Sequence, residues 1–278
     1  MRLGWDGAQR IWSVLPPIMP KRGDPGGSAT MVGMALLVVA TLLGAALQSL
    51  AGFGFALVLA PAALSVLEPD EAVTTLLVLA LALNALVLFT ERREREILGG
   101  ELRPLMAWAL PGVAAGAVIL GVVGRPELQV AVGVLVIAVV VARNRVEPER
   151  DGRERGDGAL RIGAGLTTGV LTTTTGTSGP PLVLWFEHIG VSPHETRDTL
   201  AASFLILGFL GIVALLVPGG AAFDLDPLHV AVLLACTIAG QVAGREIFVR
   251  LDPNAFRRIG FALVLLTGIA SIVAGLAG

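Results

Sequence analysis

Residues 172–181, TTTTGTSGPP, combine small polar side chains with helix-breaking residues inside an uncharged window, 162–186, that is long enough to cross a membrane. Ser178 is suited to cap a new helix, and a proline fits the first helical turn because the amide that it lacks would be unpaired there. Free amides and the positive end of such a helix favour an anion. The stretch therefore predicts an anion site at membrane depth. A kinked transmembrane helix without function is the alternative interpretation.

A second polar break is predicted in the uncharged window 31–67. Its 37 residues would form a straight helix of about 55 Å, whereas the hydrocarbon core is about 30 Å thick. The favoured position is 48–54, QSLAGFG, which carries the strongly polar Gln48 and two glycines. The window is therefore predicted to form a helical hairpin with its tip inside the membrane, and Pro61 is expected to bend the second arm.

The two breaks supply the candidate substrate-binding residues. No lysine or arginine is predicted at that depth, so an anion would be held by backbone amides, helix ends and hydroxyl groups. Such a site favours a weakly hydrated or compact oxyanion, whose oxygens accept several donors at once. Asn84 and Gln241 are further polar candidates, with helix-to-helix hydrogen bonding as their alternative role. The candidates at the breaks are Gln48, Gly52, Phe53, Gly54, Thr174, Thr175, Gly176, Thr177, Ser178, Gly179 and Pro180.

The composition identifies the class of protein that holds these residues. The hydrophobic fraction is 54%, and the mean hydropathy is +0.80. Uncharged windows long enough to span a membrane recur along the chain. They lack the polar–apolar alternation of membrane β-strands, which predicts an all-α polytopic membrane protein with the lipid bilayer as its surroundings.

Several other classes of function are disfavoured. The net charge of −2, with no basic domain, does not favour nucleic acid as a partner. A single cysteine, Cys236, excludes an intrachain disulfide and a multi-thiol metal site. The three histidines, His188, His194 and His229, all fall near predicted helix ends without metal-ligand spacing. No metal, cofactor or catalytic residue is therefore predicted.

The order of the uncharged windows repeats along the chain, which predicts two copies of a broken hairpin followed by three helices. An offset of 124 residues superimposes Gly52 on Gly176, Pro69 on Pro193 and Glu71 on Glu195. The predicted regions are a flexible tail at 1–30, with Met31 as an alternative start; a first transmembrane repeat at 31–142; a charged cytoplasmic linker at 143–161; and a second transmembrane repeat at 162–278.

The distribution of arginines predicts how the repeats are oriented. Basic residues in short loops favour the cytoplasmic side. They lie between the second and third elements of the first half, but between the third and fourth elements of the second half. All these loops and the linker can be cytoplasmic only if the two halves are inverted, as in many secondary transporters. The arginines of these basic loops are Arg92, Arg93, Arg95, Arg103, Arg245, Arg250, Arg257 and Arg258.

Two motifs resemble the TauE/SafE family of sulfite exporters, also called the 4-toluene sulfonate uptake permease family. They are AGFGFALVLAPAAL at 51–64 and GTSGPPLVLW at 176–185, and with the duplicated layout the resemblance extends over 31–278. Phe53 and Phe55 replace the glycine-richer form that is often seen in the first motif. The resemblance implies a multi-pass transporter of the cell membrane that moves sulfur-containing anions such as sulfite or sulfonates, and not an enzyme.

Two other functions stay open at the level of sequence. The first is an anion channel. The second is a rhomboid-like intramembrane serine protease, since residues 176–179 match GxSG with Ser178 as nucleophile and His229 lies on a later helix. Glu71 and Glu195 are candidates for carrying a coupling proton, and placement in the first turn of a helix is the alternative. The substrate, the transport direction and the oligomeric state are not determined by the sequence.

Overall fold

The computed structural model describes residues 27–90, 95–145, 158–216, 227–248, 265–266 and 268–276. These residues are helical apart from short connections, and no strand occurs among them, which confirms the all-α class. The chain comprises a short unit, Met1–Met34, and a compact unit, Ala35–Gly278. The helices are α1 (Gly27–Ala51), α2 (Phe55–Val66), α3 (Pro69–Thr90), α4 (Gly99–Leu120), α5 (Arg125–Arg145), α6 (Gly158–Thr175), α7 (Gly179–His188), α8 (Pro193–Leu216) and α9 (Pro227–Phe248), followed by further helical residues within 265–276.

The helices have the lengths and surfaces of a polytopic membrane protein. By length and composition, five described helices can cross a membrane. Large apolar side chains point outward, including Val118 at 69% exposure and Phe209 at 61%. Lipid, unlike water, accommodates so many exposed apolar side chains. The five candidate spans are Met31–Ser49, Pro69–Phe89, Gly99–Leu120, His194–Leu216 and Pro227–Glu246.

The first break lies between α1 and α2, inside the segment 48–54 that the sequence predicts. Gly52 has a positive φ of 75°, and its amide donates to the Gln48 carbonyl at 2.9 Å. A left-handed glycine with this hydrogen bond is a common helix ending. Gly54 also has a positive φ, 118°. A Cβ atom added at Gly44 would lie 2.8 Å from the Phe55 carbonyl, so the start of α2 turns back alongside α1.

The second break is shorter than the sequence predicts, since α6 continues through Thr175 and only residues 176–178 separate it from α7. The expectation that the four threonines at 172–175 belong to the break is therefore wrong. Thr172, Thr174 and Thr175 donate their hydroxyls to carbonyls one turn earlier, which allows threonine to remain helical. Gly176, with a φ of 68°, then ends the helix.

The helix boundaries repeat with the offset of 124 residues that the sequence indicates. Two glutamates on α3 and α8 repeat as well. Glu71 accepts from the Glu68 amide at 3.3 Å, and Glu195 accepts from the Ser192 amide at 3.2 Å. Both lie in the first turn of their helices, which confirms the alternative interpretation of these residues. The repeated boundaries are Ala51 with Thr175, Phe55 with Gly179, and Pro69 with Pro193.

Glycines allow α4 and α6 to pack closely. Cβ atoms added at Gly112 or Gly169 would fall on the backbone of the other helix, at Leu166 or Ala109. This agrees with the role of small residues at membrane-helix contacts. A Cβ atom added at Gly121 would meet only its own helix, with the Val118 carbonyl nearest at 3.5 Å.

Several sequence predictions fall outside the described residues. They concern the tail before residue 27, most of the charged linker, the basic loop at 91–94, the loop before α9 and the segment 249–264.

Candidate functional site

The two breaks border a common cavity of about 30 Å³. It lies within the compact unit, and its wall includes eight of the eleven residues that the sequence predicts. Gly52, Thr174 and Thr175 are not among the lining residues. The predicted residues in the wall are Gln48, Phe53, Gly54, Gly176, Thr177, Ser178, Gly179 and Pro180, and the remaining lining residues are Phe55, Ala56, Leu57, Leu77, Ala80, Asn84, Phe204 and Gly208.

Most of the cavity wall comes from positions that are related by the offset of 124 residues. Each break contributes consecutive residues, and the helix after each hairpin contributes further ones from α3 or α8. The offset relates twelve of the sixteen lining residues, in six pairs whose side chains differ. The matched lining pairs are Phe53 with Thr177, Gly54 with Ser178, Phe55 with Gly179, Ala56 with Pro180, Ala80 with Phe204, and Asn84 with Gly208.

Gly52 and Gly176, the glycines at the two breaks, each pack against a helix from the other half of the chain. A Cβ atom added at Gly52 would lie 3.1 Å from Cγ of Arg197 in α8. A Cβ atom added at Gly176 would lie 3.0 Å from Cβ of Leu76 in α3. The tip of each hairpin, at 52–54 or 176–178, therefore packs against the helix that follows the other hairpin. The aliphatic stem of Arg197 touches the first tip, a contact that the sequence reasoning missed, but this residue does not line the cavity.

Two carboxamides supply polar groups from the first repeat. Gln48 and Asn84 are 5% and 1% exposed. Gln48 Nε2 donates to Asn84 Oδ1 at 3.0 Å, and Asn84 Nδ2 donates to the Ala80 carbonyl at 2.7 Å. Asn84 therefore makes the helix-to-helix hydrogen bond expected of it and also lines the cavity. Gln241, the other polar candidate, is buried but is not a lining residue.

Ser178 stands at the N-cap position of α7 but makes no capping hydrogen bond with its side chain. Its backbone angles of −75° and −12° are helical, whereas a capping residue is usually extended. The predicted position of Ser178 is confirmed, and its predicted cap is wrong. The half-buried hydroxyl instead belongs to the cavity wall.

The helix starts at the two tips differ in the backbone donors that they offer. α7 begins with Gly179, Pro180 and Pro181, and the two prolines have no N–H. α2 begins with Phe55 and Ala56, whose amides belong to the first turn, where a helix has no carbonyl to receive them. The sequence predicts unpaired backbone amides chiefly at the second tip. In the structure, the helix start at the first tip has more backbone N–H groups to offer.

The threonines of α6 serve the helix packing. Thr173 donates its hydroxyl to the Val113 carbonyl of α4 at 2.9 Å. Thr174 donates to Val170 at 2.8 Å, and Thr175 donates to Leu171 at 3.0 Å. The Thr175 and Thr177 hydroxyl oxygens lie 2.5 Å apart. The hydroxyl hydrogens of Thr174 and Thr175 are thus directed at carbonyl oxygens of their own helix.

The cavity wall lacks groups for acid–base chemistry. Among the residues that the structure describes, no charged side chain and no histidine lines it. His229, the candidate base for Ser178, lies exposed in the first turn of α9. The described ranges also contain no group of histidine, cysteine and carboxylate side chains that could hold a metal ion. The cavity wall offers neutral hydrogen-bond donors among mostly apolar residues.

Fold and cavity together define a multi-pass membrane protein in which two interrupted helices meet at a neutral site. Residues 36–271 match the family model of the sulfite exporter TauE/SafE. The chain belongs to this family. No curated protein and no solved structure matches it.

Proposed function

We propose that the protein is a transporter of small anions in the cell membrane, and that its substrates are sulfur-containing oxyanions such as sulfite. The observation that carries this proposal is the meeting of both helix breaks at one uncharged, donor-bearing cavity. Membership of the sulfite exporter TauE/SafE family supports the substrate class. The protein acts by binding and release and is not an enzyme.

Hydrogen bonds and helix ends hold the anion in this proposal. The amides of Phe55 and Ala56, the Ser178 hydroxyl and the Gln48 amide supply donors from both repeats. A neutral hydrogen bond contributes about 0.5–1.5 kcal/mol, so several are needed for useful affinity. The positive end of α2 adds to this attraction. Without a fixed cation, binding stays weak enough for the anion to be released on the other side.

The cavity volume supports a compact substrate. A single water molecule needs about 10–15 Å³ of such space. The cavity of about 30 Å³ therefore suits a ligand of a few heavy atoms. An oxyanion with several acceptor oxygens on one central atom fits both this volume and the clustered donors. A bulky aromatic sulfonate would require the two tips to move apart.

We further propose that the two repeats are inverted, and that their movement against each other opens the cavity alternately to the two sides of the membrane. The matching lining positions and the contacts Gly52–Arg197 and Gly176–Leu76 support this arrangement. Each tip contacts a helix of the opposite repeat, so relative motion of the repeats would reshape the cavity. Many secondary transporters bind substrate at such a repeat interface.

An uptake screen in proteoliposomes tests the proposed function. The purified full chain would be assayed with sulfite, thiosulfate, a small sulfonate and a small carboxylate, with and without an imposed pH gradient. We expect saturable sulfite uptake, accelerated by sulfite on the opposite side, since a carrier exchanges substrate. Uptake that does not saturate and shows no such exchange would indicate a channel, and the absence of sulfur-anion uptake would contradict the proposal.

A further inference from the structure

We infer that Asn84 is a further substrate-binding residue, and that Asn84 and Gln48 act as a fixed carboxamide pair that receives the oxygens of the anion. This inference rests on the proposed function and extends it to a group on α3, away from both helix breaks. Both side chains line the cavity and are almost completely buried.

The hydrogen bonds determine how the pair is oriented. The Ala80 carbonyl can only accept, so the Asn84 side chain must turn its nitrogen toward it. The Asn84 oxygen then faces Gln48, which must in turn present its own nitrogen. The orientation of both amides therefore follows from one backbone carbonyl in α3.

This orientation leaves donors for a ligand. Each amide nitrogen carries two N–H groups, and the two hydrogen bonds described use one on each residue. The Asn84 oxygen accepts a hydrogen bond from Gln48. Asn84 keeps a second N–H, a donor that suits an acceptor such as an oxyanion.

The pair also makes the cavity unequal in its two halves. Gly208 occupies the position that matches Asn84, and Thr172 the position that matches Gln48. Gly208 has no side chain, and Thr172 donates its hydroxyl to the Thr168 carbonyl. The carboxamide donors therefore come from the first repeat alone, and we expect them to bind the anion from that side.

The replacement Asn84→Asp tests this inference, because it keeps the size of the side chain and removes its N–H donors. Sulfite binding would be measured by calorimetry on the purified full chain under oxygen-free conditions, with the melting temperature as a measure of folding. We expect the Kd for sulfite to rise at least tenfold in folded Asn84→Asp protein. Asn84→Ser removes the amide donors but introduces one hydroxyl donor, so it should lose less sulfite affinity.

Gln129→Glu is the matched control. Gln129 is a buried carboxamide whose Nε2 donates to the Leu64 carbonyl at 3.1 Å, and it does not line the cavity. Its replacement should lower the melting temperature and leave the Kd of the folded protein within about twofold. Asn84→Asp can also repel the anion by its charge, so the uncharged Asn84→Ser is compared with the control. If Asn84 only supported the helices, Asn84→Ser and Gln129→Glu would lower stability without changing the Kd, and the inference would be wrong.

Two outcomes separate this inference from the proposed function. Unchanged sulfite affinity in both folded Asn84 variants, beside normal binding by the parent, overturns the role of Asn84 and leaves the transporter proposal standing. Failure of the parent itself to bind sulfite overturns both. If Asn84→Asp does not fold, Asn84→Ser and Gln48→Leu provide the decision, since each removes donors without adding a charge.

Discussion

Gly52 and Gly176 hold the same backbone conformation 124 residues apart, with φ angles of 75° and 68°. Each contacts the helix that follows the opposite hairpin, Gly52 at Arg197 and Gly176 at Leu76. The tips are therefore supported across the two repeats. A substitution at one tip is therefore expected to change the packing of the helix that it contacts in the other half of the protein.

The positive φ of Gly176 predicts a stability cost for any side chain there. Gly176→Ala should lose about 1–2 kcal/mol, because a left-handed conformation is unfavourable for residues with a Cβ atom. The added atom would also lie 3.0 Å from Cβ of Leu76. The matched control is Gly163→Ala in α6, where nothing lies within 4 Å and alanine favours the helix. Thermal unfolding in detergent should show a lower melting temperature only for Gly176→Ala.

The contact between α4 and α6 predicts a second pair of outcomes. Gly112→Ala would place a Cβ atom on the Leu166 carbonyl, and overpacking of this kind costs about 1–3 kcal/mol. Gly121→Ala, at the end of the same helix, meets no neighbouring helix. Gly112→Ala should therefore lower the melting temperature, and Gly121→Ala should not. Equal melting temperatures for the two variants would show that the helices can separate without cost.

The absence of a charged lining residue among the described residues predicts that fixed cations contribute little to affinity. Arg197→Met keeps the aliphatic stem that contacts Gly52 and removes the charge. Its Kd for sulfite should stay within about threefold of the parent, less than 1 kcal/mol. Arg245→Gln, exposed in the last turn of α9, serves as the control. A tenfold loss of affinity confined to Arg197→Met would mean that its guanidinium takes part in binding.

The arginine distribution predicts a membrane orientation that cysteine labelling can test. After replacement of Cys236, single cysteines would be placed at Gly152 in the linker and Ala222 in the loop before α9. Inverted repeats predict that an impermeant thiol reagent labels intact cells at position 222 and not at position 152. The reverse pattern would contradict the inverted arrangement.

The sequence predicts the breaks because their residues act locally. Gly52 and Gly176 end helices through their own backbone conformation, and the offset between the repeats is visible in the chain. The prediction for the threonines at 172–175 is wrong because a run of polar residues in an apolar window suggests a loop. In the helix, the hydroxyls of Thr172, Thr174 and Thr175 are satisfied by carbonyls one turn earlier.

The tertiary contacts of the site could not be predicted in the same way. Asn84 lies 36 residues from Gln48, and no sequence pattern shows that they meet. Arg197 reaches Gly52 only because α8 packs beside the first tip. The sequence does show that the second tip offers fewer backbone donors, since Pro180 and Pro181 lack an N–H. This difference matters because both tips line one cavity.

The most direct test of transport through this cavity is sulfite flux into proteoliposomes, compared between the parent, Gly179→Leu and Ser178→Ala. A Cβ atom at Gly179 would lie 3.4 Å from Phe204 and 3.7 Å from Phe53, so a leucine fills the cavity and should abolish flux. Ser178→Ala removes one neutral hydrogen bond and should weaken sulfite affinity by roughly threefold to tenfold. Full flux in inserted, folded Gly179→Leu protein would contradict the account. So would complete loss of flux in Ser178→Ala, if the parent also cleaved a membrane-embedded reporter protein in a Ser178-dependent reaction.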